Sequence, residues 1–138
     1  MIVKSFEISR KKFDKQNIFL VYGENDGLKC EIIEILKKNL SGTIENCDEA
    51  QIINNHELFY EKILNQSLFE KEKIIIVNRC SEKIYVAIES IIEKISLDIK
   101  IIINANILEK KSKLRNLFEK SKKLIAIPTY KDTSVNLI

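Results

Sequence analysis

The sequence has no tryptophan, one proline, one histidine, one methionine and only three glycines among its 138 residues. It also lacks an uncharged apolar run of the roughly 20 residues needed to cross a bilayer, and it lacks a signal-peptide pattern after Met1. Hydrophobic residues make up 45% of the chain, enough for a core, which excludes a disordered tail, a collagen-like repeat and a disulfide-stapled miniprotein. We therefore expect one cytoplasmic domain without membrane contact.

The few cysteines do not form a metal or disulfide framework. Cys30, Cys47 and Cys80 are odd in number and include no C-x-x-C pair, as expected of reduced cytosolic thiols. Because His56 is the single histidine, a zinc site would need almost every soft ligand in the chain at unsuitable spacing. The sequence therefore predicts no metal site, and nothing in it indicates a cofactor.

Short apolar runs alternate with helical periods along the chain. Apolar runs typical of strands buried on both faces occur at residues 18–22, 74–77, 99–103 and 124–127, of which the third is broken only by Lys100. A weaker strand candidate occurs at residues 43–47. Helical spacing of apolar residues is found at residues 28–40, 54–64, 81–95 and 111–122. This order predicts an α/β fold, a three-layer domain with a mostly parallel five-stranded sheet flanked by helices.

Some element boundaries depend on single residues. An Asn54-x-x-Glu57 capping box is predicted to open a helix that carries Leu58 on its apolar side. Pro128 is predicted to end the last strand. Residues 1–13 fit either a strand or a short amphipathic helix.

The loop after the first predicted strand resembles a phosphate-binding loop that has lost key positions. Such a P-loop has the pattern G-x-x-x-x-G-K-[ST], in which backbone N–H groups surround phosphate, the lysine supplies charge and the hydroxyl holds Mg²⁺. With Gly23 as the first glycine, Leu28 replaces the second glycine, Lys29 keeps the lysine and Cys30 replaces the hydroxyl residue. Leucine resists close phosphate approach, and a thiol is a poor ligand for Mg²⁺. A plainer interpretation is that Gly23 and Gly27 form an ordinary strand-to-helix turn and that Lys29 is a solvated helix residue.

Other parts of a nucleotide site are also missing. Glu24 and Asp26 place negative charge where a triphosphate would lie. Asn78 and Arg79 follow the second buried strand, where nucleotide hydrolases have an acidic pair that holds Mg²⁺. We therefore expect a P-loop scaffold that does not bind ATP.

Two large apolar residues, Leu68 and Phe69, lie in the polar stretch of residues 65–73. From the pattern alone, folding back onto the core is the favoured interpretation. The functional alternative is a wedge that enters a hydrophobic pocket of a partner, since burying each side chain is worth roughly 1.5–3 kcal/mol.

Three stretches together resemble a known family. Residues 20–28, residues 67–69 and residues 112–120 followed by 124–128 are similar to the delta subunit of the bacterial DNA polymerase III clamp loader. Their order and spacing together carry the resemblance. The resemblance implies an AAA+-like domain that binds no cofactor and is not itself an enzyme, but an accessory part of the polymerase holoenzyme.

The family subunit binds the ring-shaped sliding clamp and helps to open it for loading on primed DNA, together with the other clamp-loader subunits. By this resemblance Leu68 and Phe69 are the wedge residues, and Ser67 and Gln66 flank them. Gln66 departs from the family, which often has an apolar residue there.

The family protein is more than twice as long as this chain. Residues 1–128 therefore match its first domain, and residues 129–138 match the start of a connection to further domains. Both an excised domain and a stand-alone relative fit this length.

Two other functions remain open. The small net charge of +3 does not indicate nucleic acid by itself, but a local basic run is a candidate DNA contact, although such runs are usually solvated faces: Lys110, Lys111, Lys113 and Arg115. A small P-loop-type ATPase or kinase is the enzyme alternative, which the missing hydroxyl and acidic pair disfavour.

Overall fold

The computed structural model describes residues 1–8, 13, 16–40, 42–64, 72–95 and 98–129. Within them, the strands are β1 (Ile18–Gly23), β2 (Thr43–Asp48), β3 (Lys73–Cys80), β4 (Ile99–Ala105) and β5 (Leu124–Thr129). The helices are α1 (Asp26–Asn39), α2 (Glu49–Asn54), α3 (His56–Leu64), α4 (Tyr85–Ile91) and α5 (Lys113–Lys120). Short 3₁₀ turns cover Ser5–Glu7 and Glu82–Ile84.

The five strands form one parallel sheet in the order β2-β3-β4-β1-β5. On β1, Ile18 lies opposite Ile101 of β4 and Leu124 of β5. All three side chains are fully buried, as expected for strands with helices on both faces. The predicted three-layer α/β fold with a five-stranded parallel sheet is confirmed.

An apolar core covers each face of the sheet. On one face the helical contribution comes from α2, α3, α4 and α5, through Ile52, Phe59, Ile63, Ala87, Ile88, Ile91, Leu114 and Phe118. On the other face it comes from α1 and the N-terminal segment, through Ile32, Ile33, Leu36, Val3, Ile8 and Phe13. Alternate residues of β1, β3, β4 and β5 enter the two cores, whereas β2 is a largely exposed edge strand. Among the described residues, none of the helices could span a bilayer.

The N-terminal segment adds to the β5 edge of the sheet. Ile2 forms a parallel bridge with Ala126, and the backbone N–H of Val3 donates to the Ala126 carbonyl at 2.9 Å. The Met1 ammonium group donates to the carbonyl oxygens of Ser121 at 2.5 Å and Leu124 at 2.8 Å. A bridge followed by a 3₁₀ turn therefore replaces the longer strand or helix considered for residues 1–13.

The predicted capping box at Asn54 is wrong. Asn54 is the last residue of α2, a helix that the sequence pattern did not indicate, and Asn55 caps α3 by accepting the Leu58 N–H at 3.4 Å. Leu58 was expected on the apolar side, but it is 59% exposed. Phe59 and Ile63 of the same helix, four residues apart, do face the core.

Pro128 does not end the last strand. It lies inside β5, opposite Tyr22 of β1, and β5 continues to Thr129. Proline is tolerated in an edge strand, and β5 is the last strand of the sheet order, with the isolated Ile2–Ala126 bridge rather than another strand on its outer side.

Candidate functional site

A polar cleft lies at the carboxyl ends of the strands, where ligands of open parallel sheets usually bind. Its volume is about 340 Å³. The lining residues come from α1 and from the ends of β2, β3 and β4: Asp26, Lys29, Asp48, Asn78, Arg79, Asn104 and Asn106. At this place the sequence predicted a P-loop scaffold that lacks the residues needed to bind a nucleotide.

Glycine is required at position 23 for a structural reason that is unrelated to phosphate binding. Its φ is +128°, and a Cβ atom there would lie 1.8 Å from the carbonyl oxygen of Thr129 on the neighbouring strand. Gly27 differs, because a Cβ atom there would meet only the Asn25 side chain, at 3.7 Å. The first glycine of the loop is therefore needed for close packing of β1 against β5, and Gly27 is not needed for space.

The first turn of α1 is already capped from within the chain. The Asn25 side-chain oxygen accepts the backbone N–H of Leu28 at 3.0 Å. In a phosphate-binding loop, N–H groups of this turn point at the phosphate. Leu28 itself is half-buried against the core on the α1 face, and Cys30 is exposed.

Lys29 is not the solvated helix residue of the plainer interpretation. It is only 3% exposed, and its Nζ donates to the carbonyl oxygen of Ala105 at the end of β4, at 3.0 Å. The same Nζ lies 3.1 Å from Asp26 Oδ1. The lysine charge is therefore satisfied inside the protein, by a strand end and a neighbouring carboxylate.

The ends of β3 and β4 present amides and an arginine where a nucleotide hydrolase has an acidic pair after β3. Asn104 Nδ2 donates to Asn78 Oδ1 at 3.2 Å. Arg79 has φ +56°, and its Nη1 lies 3.5 Å from Asp48 Oδ2. These residues do not fit a Mg²⁺-nucleotide, because the hydroxyl and β3 carboxylate ligands are replaced and the lysine is engaged.

The described residues also contain no group of three or more histidine, cysteine, aspartate or glutamate side chains arranged to hold a metal ion. All three cysteines are free. Burial raises the pKa of the Cys80 thiol, and the charge of Glu49 raises it further. Cys80 is therefore a protonated core side chain rather than a reactive thiolate.

The residues of the predicted clamp-binding element, Gln66, Ser67, Leu68 and Phe69, lie outside the described residues. The flanking elements are described: α3 ends at Leu64, and β3 begins at Lys73. In sequence the element precedes β3, and the polar cleft lies at the carboxyl end of that strand. Lys73 and Cys80, the first and last residues of β3, are seven residue steps apart, which corresponds to about 23 Å.

The late basic run divides into two kinds of residue. Lys110, Lys111 and Lys113 are exposed. Arg115 instead donates from Nε to Glu119 Oε2 at 2.9 Å and from Nη1 to the Leu108 carbonyl at 3.0 Å. Its guanidinium also lies over the Tyr22 ring, 5.5 Å from the centroid. Arg115 therefore holds α5 against β1, which corrects its placement among surface residues.

One positioning residue was missed by the sequence interpretation. Glu82 Oε1 accepts the backbone N–H groups of Lys113 at 2.6 Å and Leu114 at 3.4 Å, and so caps the start of α5. The pKa of Glu82 is lowered, chiefly by a hydrogen bond with Ser112. No local signal identifies this contact, because its partners are about 30 residues apart.

The sequence matches no family model and no curated protein. Among solved structures, it is similar to the Bacillus subtilis DNA clamp loader delta protein, with a TM-score of 0.62 and 14% sequence identity. The chain shares the fold of that protein. The match covers 92% of this chain but 42% of the other, so this chain spans less than half the length of its structural neighbour.

Proposed function

We propose that this chain is the AAA+-like domain of a clamp-loader subunit that binds a sliding clamp and does not hydrolyse ATP. The observation that carries the proposal is the internal use of Lys29 within a fold shared with a clamp loader delta protein. The domain keeps the scaffold of a nucleotide-binding protein, while its single P-loop cation is bound to Ala105 and Asp26.

The same contacts support this function over a small ATPase or kinase. For Lys29 to reach a phosphate, its ammonium group must leave the Ala105 carbonyl and be replaced there by another donor. Asn25 likewise occupies an N–H group of the first turn of α1. Asn78 and Arg79 supply no carboxylate for Mg²⁺ at the end of β3.

The proposed work of the domain is mechanical. Leu68 and Phe69 enter an apolar pocket of the clamp, and burial of the two side chains contributes roughly 3–6 kcal/mol before the costs of association. A ligand shifts an equilibrium only through its differential affinity for the two states, so the pair must fit the opened clamp better than the closed one. The sheet supplies a rigid platform for the segment that joins α3 to β3.

The wider assignment follows from the same proposal. The subunit acts in DNA replication as an accessory part of the DNA polymerase III holoenzyme, in the cytoplasm. Its partners are the clamp, or beta subunit, and the other clamp-loader subunits.

A clamp-binding measurement tests the proposal. Surface plasmon resonance with immobilised cognate clamp compares the wild-type chain with the Leu68→Ala/Phe69→Ala variant. We expect the variant to lose at least about 2 kcal/mol of binding free energy, roughly 30-fold in Kd, because a central apolar pair dominates such interfaces. Its urea midpoint should stay close to that of the wild type.

The matched control is Leu58→Ala/Ile107→Ala. These side chains are also large and apolar, and they are 59% and 63% exposed. The control should bind clamp as the wild type does. If Leu68→Ala/Phe69→Ala instead unfolds early and still binds clamp, the pair belongs to the core and the proposal fails. Micromolar binding of Mg-ATP in a calorimetric titration would favour the enzyme alternative.

A further inference from the structure

One edge of the sheet is strongly acidic. Residues 43–61 form β2, α2 and the greater part of α3, and they contain five acidic residues and no basic residue, a net charge of −5. The other 119 residues contain 23 basic and 15 acidic residues, a net charge of +8. The two signs of charge are thus separated along the chain, and this edge attracts positively charged groups.

Two of the five carboxylates at this edge are available to a partner. The other three already contact Lys62, Arg79 and Ser81. Glu57 and Glu61 lie one turn apart on α3, and both side chains are exposed. Within the part of the chain that the structure describes, neither of them forms an ion pair. A cationic group that approaches α3 therefore meets two unpaired carboxylates.

The backbone of β2 is open on its outer side. β2 is the first strand of the sheet order, and among the described residues no strand pairs with its outer edge. The Thr43 N–H donates to the Glu72 carbonyl at 3.1 Å, on the side of β3. Because successive strand residues direct their backbone groups to opposite edges, the N–H and C=O groups of Ile44 and Asn46 point outward. Both residues are exposed.

The β2 edge also lacks the features that usually block strand pairing. The opposite edge strand, β5, contains Pro128 and is bridged by Ile2. β2 contains neither lysine nor proline, and its register with β3 continues without a bulge from Thr43 to Asp48. Free edges without such features pair readily with an added strand. With six residues, an ordinary strand length, β2 is long enough to hold one.

A groove of about 370 Å³ lies between β2 and the helices α2 and α3. Its walls include the buried residues Ile52, Phe59 and Ile75, the half-buried Cys47, and Leu58, which is 59% exposed. Burial raises the pKa of the Cys47 thiol, as expected in an apolar surrounding. The groove therefore suits an apolar side chain from a strand that pairs with β2.

Charge decides against a second copy of this chain as the occupant. Pairing of β2 with the β2 of another copy would bring together two segments that each carry a net charge of −5, and like charges across a strand pair are destabilising. A segment with both basic and apolar residues fits the carboxylates, the open backbone and the groove at once.

We propose that an extended segment of a partner protein, with basic residues around an apolar one, binds as a sixth strand beside β2. Its backbone pairs with Ile44 and Asn46, its apolar side chain enters the groove beside Leu58, and its basic side chains lie near Glu57 and Glu61. Main-chain hydrogen bonds supply affinity in this mode of binding, and side-chain pockets supply selectivity. The inference goes beyond the proposed clamp contact and does not depend on it.

The first test measures the role of charge. The probe is the blocked, labelled peptide Lys-Lys-Val-Val-Lys-Lys, which is as long as β2 and places one valine between two lysines on each face of a strand. Fluorescence anisotropy with the 138-residue chain should show binding that Glu-Glu-Val-Val-Glu-Glu lacks. Glu57→Gln/Glu61→Gln should weaken binding about three- to tenfold, as expected for two exposed ion pairs. The control Glu31→Gln/Glu34→Gln makes the same charge change on α1 and should keep the wild-type affinity.

The second test measures the geometry. N-methylation of alternate peptide bonds removes donors from the probe without changing the protein, and it should abolish binding. Leu58→Ala should weaken binding at least about threefold, although the Leu58→Ala/Ile107→Ala variant should bind clamp normally. In a Cys30→Ser background, saturating probe should slow the alkylation of Cys47 by iodoacetamide, because the thiol lines the occupied groove.

Several results would overturn the inference. These are equal binding of the acidic and basic peptides, unchanged binding after N-methylation, or unchanged alkylation of Cys47. Dimerisation of the wild-type chain that the probe does not disrupt would show that a second copy occupies the edge. Loss of probe binding in a folded Leu68→Ala/Phe69→Ala variant would place the peptide at the clamp-binding element instead. Failure of the clamp proposal alone would leave all the peptide results unchanged.

Discussion

Replacing Lys29 by alanine tests whether this lysine is a structural cation. The ammonium group donates to a buried carbonyl, and a hydrogen bond from a charged donor contributes about 1.5–3 kcal/mol. The buried stem adds about 0.8 kcal/mol for each methylene group that is lost. Release of the ammonium group from the interior offsets part of this cost. We therefore expect Lys29→Ala to lower the free energy of unfolding by about 2–4 kcal/mol.

The measurement is urea unfolding followed by circular dichroism, in which a loss of this size shifts the midpoint by about 1 M or more. Lys29→Met keeps the apolar stem and should lose only about 1–2 kcal/mol. Asp26→Asn should cost about 0–1 kcal/mol, because the Asp26 side chain is 88% exposed. If Lys29→Ala stays within about 0.5 kcal/mol of the wild type, the lysine is a solvated surface residue and the argument from the cleft is refuted.

Two further predictions concern the fold. Gly23→Ala should lower the free energy of unfolding by more than about 3 kcal/mol, because of the contact with Thr129 and the positive φ, whereas Gly27→Ala should raise it by about 0.5–1 kcal/mol. Equal urea midpoints for the two variants would contradict this difference. For Glu119, partial burial opposes ionisation, but hydrogen bonds from Tyr22 and Arg115 prevail and lower the carboxyl pKa. The stabilisation is thus present above the ordinary carboxyl pKa of about 4.3 and is lost as pH falls through the lower folded value. Glu119→Gln should therefore differ from the wild type in urea midpoint at pH 6, and the difference should shrink by pH 3; a constant difference would show that the carboxylate charge is irrelevant.

Most of the fold follows from local patterns. The apolar runs at residues 18–22, 74–77, 99–103 and 124–127 are too short for buried helices and too continuous for half-exposed strands, and each lies within an observed strand. The helix α2 was missed because it has six residues and buries only Glu49 and Ile52, which leaves no period to detect.

Less of the candidate site than of the fold could be predicted from the sequence. The missing P-loop residues could be read directly, because that motif lies within eight consecutive positions. The role of Lys29 could not be predicted, because the carbonyl group that accepts its hydrogen bond, that of Ala105, is 76 residues away in the chain. Arg115 was grouped with the surface lysines for the same reason, because local charge patterns do not reveal Tyr22 beneath the helix. The interpretation of Leu68 and Phe69 as a wedge stays a prediction.

The sequence by itself determined the number and order of buried strands, the helical crossovers between them and the loss of the Mg²⁺-binding side chains. These depend on the period of apolar residues and on the identity of neighbouring residues, which are local properties. Only the tertiary structure decided which charges face solvent. The parallel sheet brings the end of β4 to Lys29, β1 to Arg115 and Glu82 to the start of α5, and contact between such distant residues removes some charges from the surface and leaves others exposed.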